Sequence, residues 1–100
     1  MVSYPNRAGA RFDEEYYMTK HMPMVGEKLS AYGLTGWSID KGLAGGAPGS
    51  APKHLFQAHL HFKDLAGFQA GMAAVGAPVM ADVPNYTDIQ PDVQVYQVLP

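Results

Sequence analysis

Residues 53–63, reading KHLFQAHLHFK, alternate with a strict period of two. Phe56, Ala58, Leu60 and Phe62 form one face, and Leu55, Gln57, His59 and His61 form the other. A strand with one fully apolar face and one semi-polar face packs on helices on one side only. Its second side must meet water, a ligand cavity or another sheet. The rest of the chain therefore has to supply a helical layer for one face of a sheet and a different environment for the other.

Two stretches carry the period of a helix. In the first, over 13–32, Asp13 suits the N-cap, and Glu14 and Glu15 suit the positive end of the helix dipole. Phe12 and Tyr17 have the spacing of a hydrophobic staple. Met18, Met22, Val25, Leu29 and Tyr32 recur at steps of four and three, which predicts the buried face. Tyr17 and His21 fall on a neighbouring stripe, at the edge of that face. Pro23 lacks an N–H and disfavours α geometry at Met22, which predicts a kink or a break with restart at Met22-Pro23. Gly33 suits the position just past the helix end. In the second stretch Asp64 is the cap, and Leu65, Phe68, Met72 and Val75 define the buried face. Gly76-Ala77-Pro78 is predicted to end that helix and to start a short helical turn over 78–81.

The remaining strands are a short one over 1–4, one over 35–42 and a last one over 91–99. In the second of these Trp37, Ile39 and Lys41 oppose Gly36, Ser38 and Asp40. Residues 43–52 are almost only Ala, Gly, Pro and Ser, a composition for a connector or a lid. Residues 82–86 read as a structured loop. The order β-α-β-β-α-β predicts an α+β, ferredoxin-like fold: a four-stranded antiparallel sheet with both helices on one face. A single domain spans residues 1–100, and a core this small is marginal. Two such sheets placed face to face give a homodimer, a dimeric α/β barrel enclosing space for a small hydrophobic ligand.

The formal net charge of -2 and the lack of a basic cluster argue against nucleic acid and anionic membrane as partners. With no cysteine there is no disulfide, thiol nucleophile or thiolate metal site, as suits a cytoplasmic setting. No stretch has the length of a membrane span, and the first residues lack a signal-peptide pattern. Six methionines and six tyrosines suit adaptable apolar walls with polar tips, in a pocket or in plain core packing.

Tyr4-Pro5, Phe12-Asp13, Tyr16-Tyr17, Lys20-His21-Met22-Pro23, His59-Leu60-His61-Phe62 and Asp82-Val83-Pro84-Asn85-Tyr86-Thr87 together resemble the EthD family. The family is named for ethyl tert-butyl ether degradation, and the resemblance covers nearly the whole chain. It implies the dimeric α/β-barrel superfamily, which also holds small monooxygenases, muconolactone isomerases and relatives of chlorite dismutase. It implies chemistry only at the level of that varied group. Family members tend to have a longer first strand than residues 1–4.

His21, at a helix break beside Tyr16 and Tyr17, is the first acid–base candidate, because histidine titrates near neutrality. Tyr17, one turn earlier, is a candidate to orient it. The alternative is a half-buried histidine bonded to backbone freed by Pro23. His59 shares the semi-polar strand face with His61 and is the second proton-transfer candidate. The His-x-His spacing suits a metal only with a third ligand, from His21 or Asp82, and no metal is expected. His21, His59 and Tyr17 thus form the expected catalytic set. Tyr4, Tyr16, Trp37, His61, Asp82, Tyr86 and Tyr96 form the expected substrate-binding set. Within it Trp37 also suits core packing and His61 a dimer interface. Asp82 either fixes a histidine tautomer or caps its turn, and Asn85 suits a left-handed turn position. No phosphate loop, nucleophile elbow or dinucleotide fingerprint is present, so no organic cofactor is expected. The expected activity is oxygenation, decarboxylation or isomerisation of an apolar, aromatic or ketonic compound. The rival expectation is a non-catalytic accessory protein of a degradation pathway that holds such a compound.

Overall fold

The computed structural model describes residues 1–99. The sheet is four-stranded and antiparallel, built from β1 (Val2–Pro5), β2 (Leu34–Lys41), β3 (His54–Phe62) and β4 (Asp92–Val93) in the order β2-β3-β1-β4. Two helices cover one face. The first, α1, runs over 14–32, and the second, α2, is Leu65–Ala81.

Helix α1 is one helical run. The Asp13 carboxylate accepts from the Tyr16 N–H at 3.1 Å and starts it. Glu14–Tyr16 are α, Tyr17–His21 form a π turn, Met22–Leu29 are α again, and Ser30–Tyr32 close in 3-10 geometry. Gly33 ends it at φ 90. The expected break at Met22-Pro23 does not occur, and Met22 keeps α geometry at φ -64 and ψ -41. The π turn just before Pro23 absorbs the disturbance, and the Met22 N–H reaches back five residues to Tyr17.

That extra residue moves the buried stripe. A π turn adds one residue to a turn and shifts everything N-terminal to it by about 100° around the axis. Met22, Val25 and Leu29 are buried as expected, but Met18 is 38% exposed and Tyr32 only partly covered. Tyr17 and His21 take the inside instead, at 0% and 3% exposure. The staple between Phe12 and Tyr17 forms, with ring centroids 5.1 Å apart.

Helix α2 runs on through Gly76-Ala77-Pro78 instead of ending there. Pro78 removes one hydrogen bond, to the carbonyl of Ala74, and this happens on the solvent-exposed side of the helix, where Ala74 and Pro78 both lie. Leu65, expected inside, is 54% exposed, while Phe68, Met72, Val75 and the buried Gly71 and Val79 face inward. The helices approach closely at Gly71, where a Cβ would lie 2.9 Å from Leu29 Cδ2.

Paired residues on neighbouring strands share a face. Val2 and Tyr4 of β1, Trp37 and Ile39 of β2, and Phe56, Ala58, Leu60 and Phe62 of β3 point at the helices. Ser3, Ser38, Asp40, Gln57, His59 and His61 occupy the outer face, which no element of the described residues covers.

The last strand is shorter than the expected 91–99. Only Asp92–Val93 form it, and Gln94 then exchanges two backbone hydrogen bonds with Met1, at 2.7 and 3.0 Å. Odd-numbered residues of β3 bond toward β2, as the Gly42 N–H to Leu55 carbonyl bond illustrates. Even-numbered ones turn toward β1. Leu60 and Phe62 share that parity but have no β1 residue beside them. Between them and residues 93–98 lies an open cleft of about 690 Å³. The 43–52 connector borders neither this cleft nor the smaller cavity described below.

Candidate functional site

Three elements converge at the sheet end of the π turn. The loop after α2 continues as a 3-10 turn, Val83–Asn85, which turns Asp82 back toward α1. Backbone bonds pin that loop: the Asp13 N–H donates to the Tyr86 carbonyl at 2.7 Å, and the Arg11 N–H donates to Asp88 Oδ1 at 2.9 Å. The Thr87 hydroxyl donates to the Arg11 carbonyl at 2.6 Å. Residues 11–13 and 82–88 are thus stitched together, which sets Asp82 against α1.

Asp82 gathers three side chains. Its Oδ2 lies 2.9 Å from His21 Nδ1. Its Oδ1 accepts from the Tyr16 hydroxyl at 2.7 Å and from Asn85 Nδ2 at 2.8 Å. With a carboxylate on Nδ1, the neutral ring carries its proton there and leaves Nε2 as the free acceptor. Nε2 has no hydrogen-bond partner among the described residues. Burial pushes the His21 pKa down, against the opposing pull of Asp82, so the ring is held neutral. Partial burial works against ionisation of Asp82, but the hydrogen bonds from Asn85, His21 and Tyr16 outweigh it and hold its carboxyl below the usual range.

Aromatic rings wall the imidazole. Tyr17 stacks on it at 5.8 Å between centroids and 18°, and Tyr86 lies 4.6 Å away. The Tyr4 and Tyr86 hydroxyls hydrogen-bond each other at 2.5 Å. Burial raises the pKa values of Tyr4, Tyr17 and Tyr86, so all three stay protonated. The Tyr17 hydroxyl is the one buried side-chain oxygen or nitrogen without a partner among the described residues. Tyr17, His21 and Tyr4 border a cavity of about 50 Å³ between helices and sheet, closed otherwise by apolar side chains such as Met22, Val25, Leu29 and Ala58.

No protein-family profile matches the chain, and no curated protein does. Among solved structures it is similar to an EthD-like protein from Ralstonia eutropha JMP134. The two share 38% identity with a TM-score of 0.92, covering 99% of this chain and 88% of that one. The chain belongs to the EthD-like family. An ethyl tert-butyl ether degradation (EthD) family protein from Bacillus halodurans C-125 has the same fold at 17% identity, with a TM-score of 0.58 over 94% of both chains.

In this EthD-like chain the expected site residues divide between the two sides of the sheet. His21, Tyr17, Tyr16, Tyr4, Asp82 and Tyr86 come together on the helix side. His59 stands on the outer face, where its Nε2 lies 2.8 Å from Asp40 Oδ2, and His61 follows two residues along the same face. The sheet therefore separates His59 and His61 from His21 and Asp82, and among the described residues no three such groups could hold a metal ion. Trp37 faces the helices, against Gly26 of α1. Tyr96 is 57% exposed at the rim of the large cleft, together with His61.

Two local roles differ from the sequence reading. Tyr17 does not orient His21 through its hydroxyl; its ring stacks on the imidazole, and Asp82 does the orienting. Asn85 is not a left-handed turn residue, since among the described residues none other than glycine has positive φ. It sits in the 3-10 turn and donates to Asp82. Sequence reasoning did not find Asp40 as the partner of His59. The signal was present: Asp40 lies on the same strand face as Ser38, which pairs with His59. Among the described residues no helix is long and apolar enough to cross a membrane.

Proposed function

We propose that this EthD-like protein is a small enzyme that moves a proton on a small hydrophobic organic compound, with His21 as the acid–base group. The observation that carries this reading is the buried imidazole whose Nδ1 is bonded to Asp82 at 2.9 Å, whose Nε2 has no hydrogen-bond partner among the described residues, and whose residue is one of those lining a cavity. Asp82 is the positioning residue: it fixes the tautomer and stabilises the imidazolium that forms when Nε2 takes a proton. Tyr16 and Asn85 hold Asp82 in place. Apolar walls exclude water and match an apolar ligand, in keeping with the ether-degradation name of the Bacillus relative. Isomerisation and decarboxylation both fit a base and its conjugate acid with no cofactor. The outer sheet face, with His59 and Asp40 on it, is the surface over which a second copy would close a barrel.

The test is hydrogen–deuterium exchange into a panel of apolar carbon acids (ketones, esters, nitroalkanes and phenols) incubated with the protein in D2O. The expected outcome is enzyme-dependent deuteration of at least one compound and a loss of about a hundredfold or more in His21→Gln. A compound that binds yet emerges undeuterated would favour the accessory-protein reading.

A further inference from the structure

Strand β1 is flanked on both sides. Val2 pairs with Ala58 of β3 and Val93 of β4, and Ser3 pairs with Gln57 and Asp92. The ladder to the C-terminal segment runs one residue further, through the two backbone bonds between Met1 and Gln94. The space between β3 and that segment is thus one strand wide where β1 fills it, with a neighbour about 4.8 Å away on each side. Beyond Met1 the same space continues as the open cleft of about 690 Å³, bordered by Leu60, His61 and Phe62 on one side and residues 93–98 on the other.

The walls of the cleft are in register for a strand. Counting on from Met1, successive places fall between Leu60 and Val95, between His61 and Tyr96, and between Phe62 and Gln97. Leu60 and Phe62 turn their peptide groups into the cleft by the parity already described. The Gln94 bonds set the parity that turns those of Tyr96 and Val98 toward it from the other side. Among the described residues no backbone bond outside the ladders engages Leu60, Phe62 or residues 95–98. The helix side of the cleft is apolar. Phe68 meets Phe62 edge-on at 5.3 Å between centroids, and Leu65 and Val95 are each 54% exposed there.

We infer that this cleft is a docking slot for an extended peptide segment of a partner chain, laid in line with β1 and antiparallel to both walls. The slot is continuous with the two interfaces that β1 makes with β3 and β4. Donors and acceptors along two lines, two strand spacings or roughly 10 Å apart, are matched by an extended backbone, which bonds to either side in turn. The residue between Leu60 and Val95 bonds to Leu60, the next to Tyr96, and the next to Phe62. Side chains at the first and third places point at the helices, as Val2 and Tyr4 do, so they are apolar. The middle side chain lies on the outer face beside His61 and Tyr96 and is polar. The partner segment is therefore strand-forming, with apolar residues at alternate positions. This inference stands apart from the proton-transfer reading.

The probe is a blocked heptapeptide that alternates threonine and valine, titrated into the full chain by calorimetry with amide exchange followed by NMR. One peptide should bind per chain and slow exchange at the Leu60, Phe62 and Tyr96 amides. Two methylated versions then test the slot. N-methylation of the valines removes the bonds to β3, and N-methylation of the threonines removes those to the 95–98 segment. Each should weaken binding by about tenfold or more. A simple sheet edge would tolerate one of the two, because its outer N–H groups face water. Leu65→Lys puts a charge beneath the peptide and should weaken binding with little change in melting temperature, since Leu65 is exposed. Tyr96→Pro removes an N–H that faces the slot and should bind more weakly than Tyr96→Ala, which keeps it. No saturable binding, or binding weakened by neither or only one of the methylations, would overturn the proposal. Uptake of peptide only as a dimer falls apart would also overturn it, by placing a second copy in the slot.

Discussion

His21 buries a titratable ring that stays neutral, and that has a stability consequence with a definite sign. Its folded pKa lies below the ordinary histidine value of about 6.5. As pH falls through that value, the unfolded chain takes up a proton that the native ring refuses, so stability is full above it and declines below it. Asp82 acts in a separate, more acidic window: its folded pKa is depressed, so its contribution holds above the ordinary carboxylate value of about 3.9 and is lost as pH falls through the lower folded value. Thermal melts between about pH 7.5 and 5 should show the midpoint falling with acidity. His21→Gln should flatten that slope while leaving the steeper loss at lower pH. An unchanged slope in the variant would mean that His21 is accessible to protons. His21 and Asp82 could be singled out from the sequence, since a histidine two residues before a proline and an Asp-x-Pro-Asn-Tyr loop both stand out. Their meeting could not be foreseen, because sixty-one residues separate them and only the stitching of residues 11–13 to 82–88 brings them together.

At the scale of the element, the π turn decides which residues of α1 look inward. A period of 3.6 put Met18 inside and Tyr17 at the edge, and one added residue reverses them. Periodicity cannot reveal that addition, because the sequence of a π turn differs from an α turn only in where its side chains find room. Pro23 was the visible sign, read as a break because its missing N–H admits either answer. Deleting Thr19, an exposed residue within the turn, should let α geometry close with Tyr17 four residues before Met22, so that Tyr17 keeps the inside and Asp13 and Tyr16 keep their partners. Inserting an alanine after Thr19 should instead turn Tyr17 away from the core and cost about 3–5 kcal/mol, as removal of a large aromatic does. Denaturant unfolding followed by circular dichroism measures both. A deletion as costly as the insertion would show that the aromatic cluster depends on the π turn itself. The starts of both helices, the end of α1 at Gly33, the Phe12–Tyr17 staple and the alternation of β2 and β3 were legible, since each is set by residues close in sequence. The continuation of α2 through Pro78 was not, because burial of Gly76 and Val79 against the layer beneath outweighs one lost hydrogen bond.

For the whole molecule, the four-stranded antiparallel sheet and the one-sided helical layer follow from patterning alone, and they leave the outer face without a cover among the described residues. If that face is where a second copy packs, Ser38→Arg should convert a dimer to a monomer in analytical ultracentrifugation without unfolding the chain, since Ser38 points away from the helices. A dimer that survives this change would place its interface elsewhere. The gap beside β3 has a different kind of consequence. Leu60 and Phe62 on one side and residues 95–98 on the other are two parallel rails of unpaired peptide groups, flanked by the exposed Val93, Val95, Val98 and Leu99. Such edges are sticky toward any extended chain, including another copy of the same one. Lys63 and Asp64 at one end and Gln94 and Gln97 along the other are the polar side chains that stand against it. If copies meet at this corner, Lys63→Gln should lower the concentration at which the protein stays clear, and an unchanged limit would place self-association elsewhere.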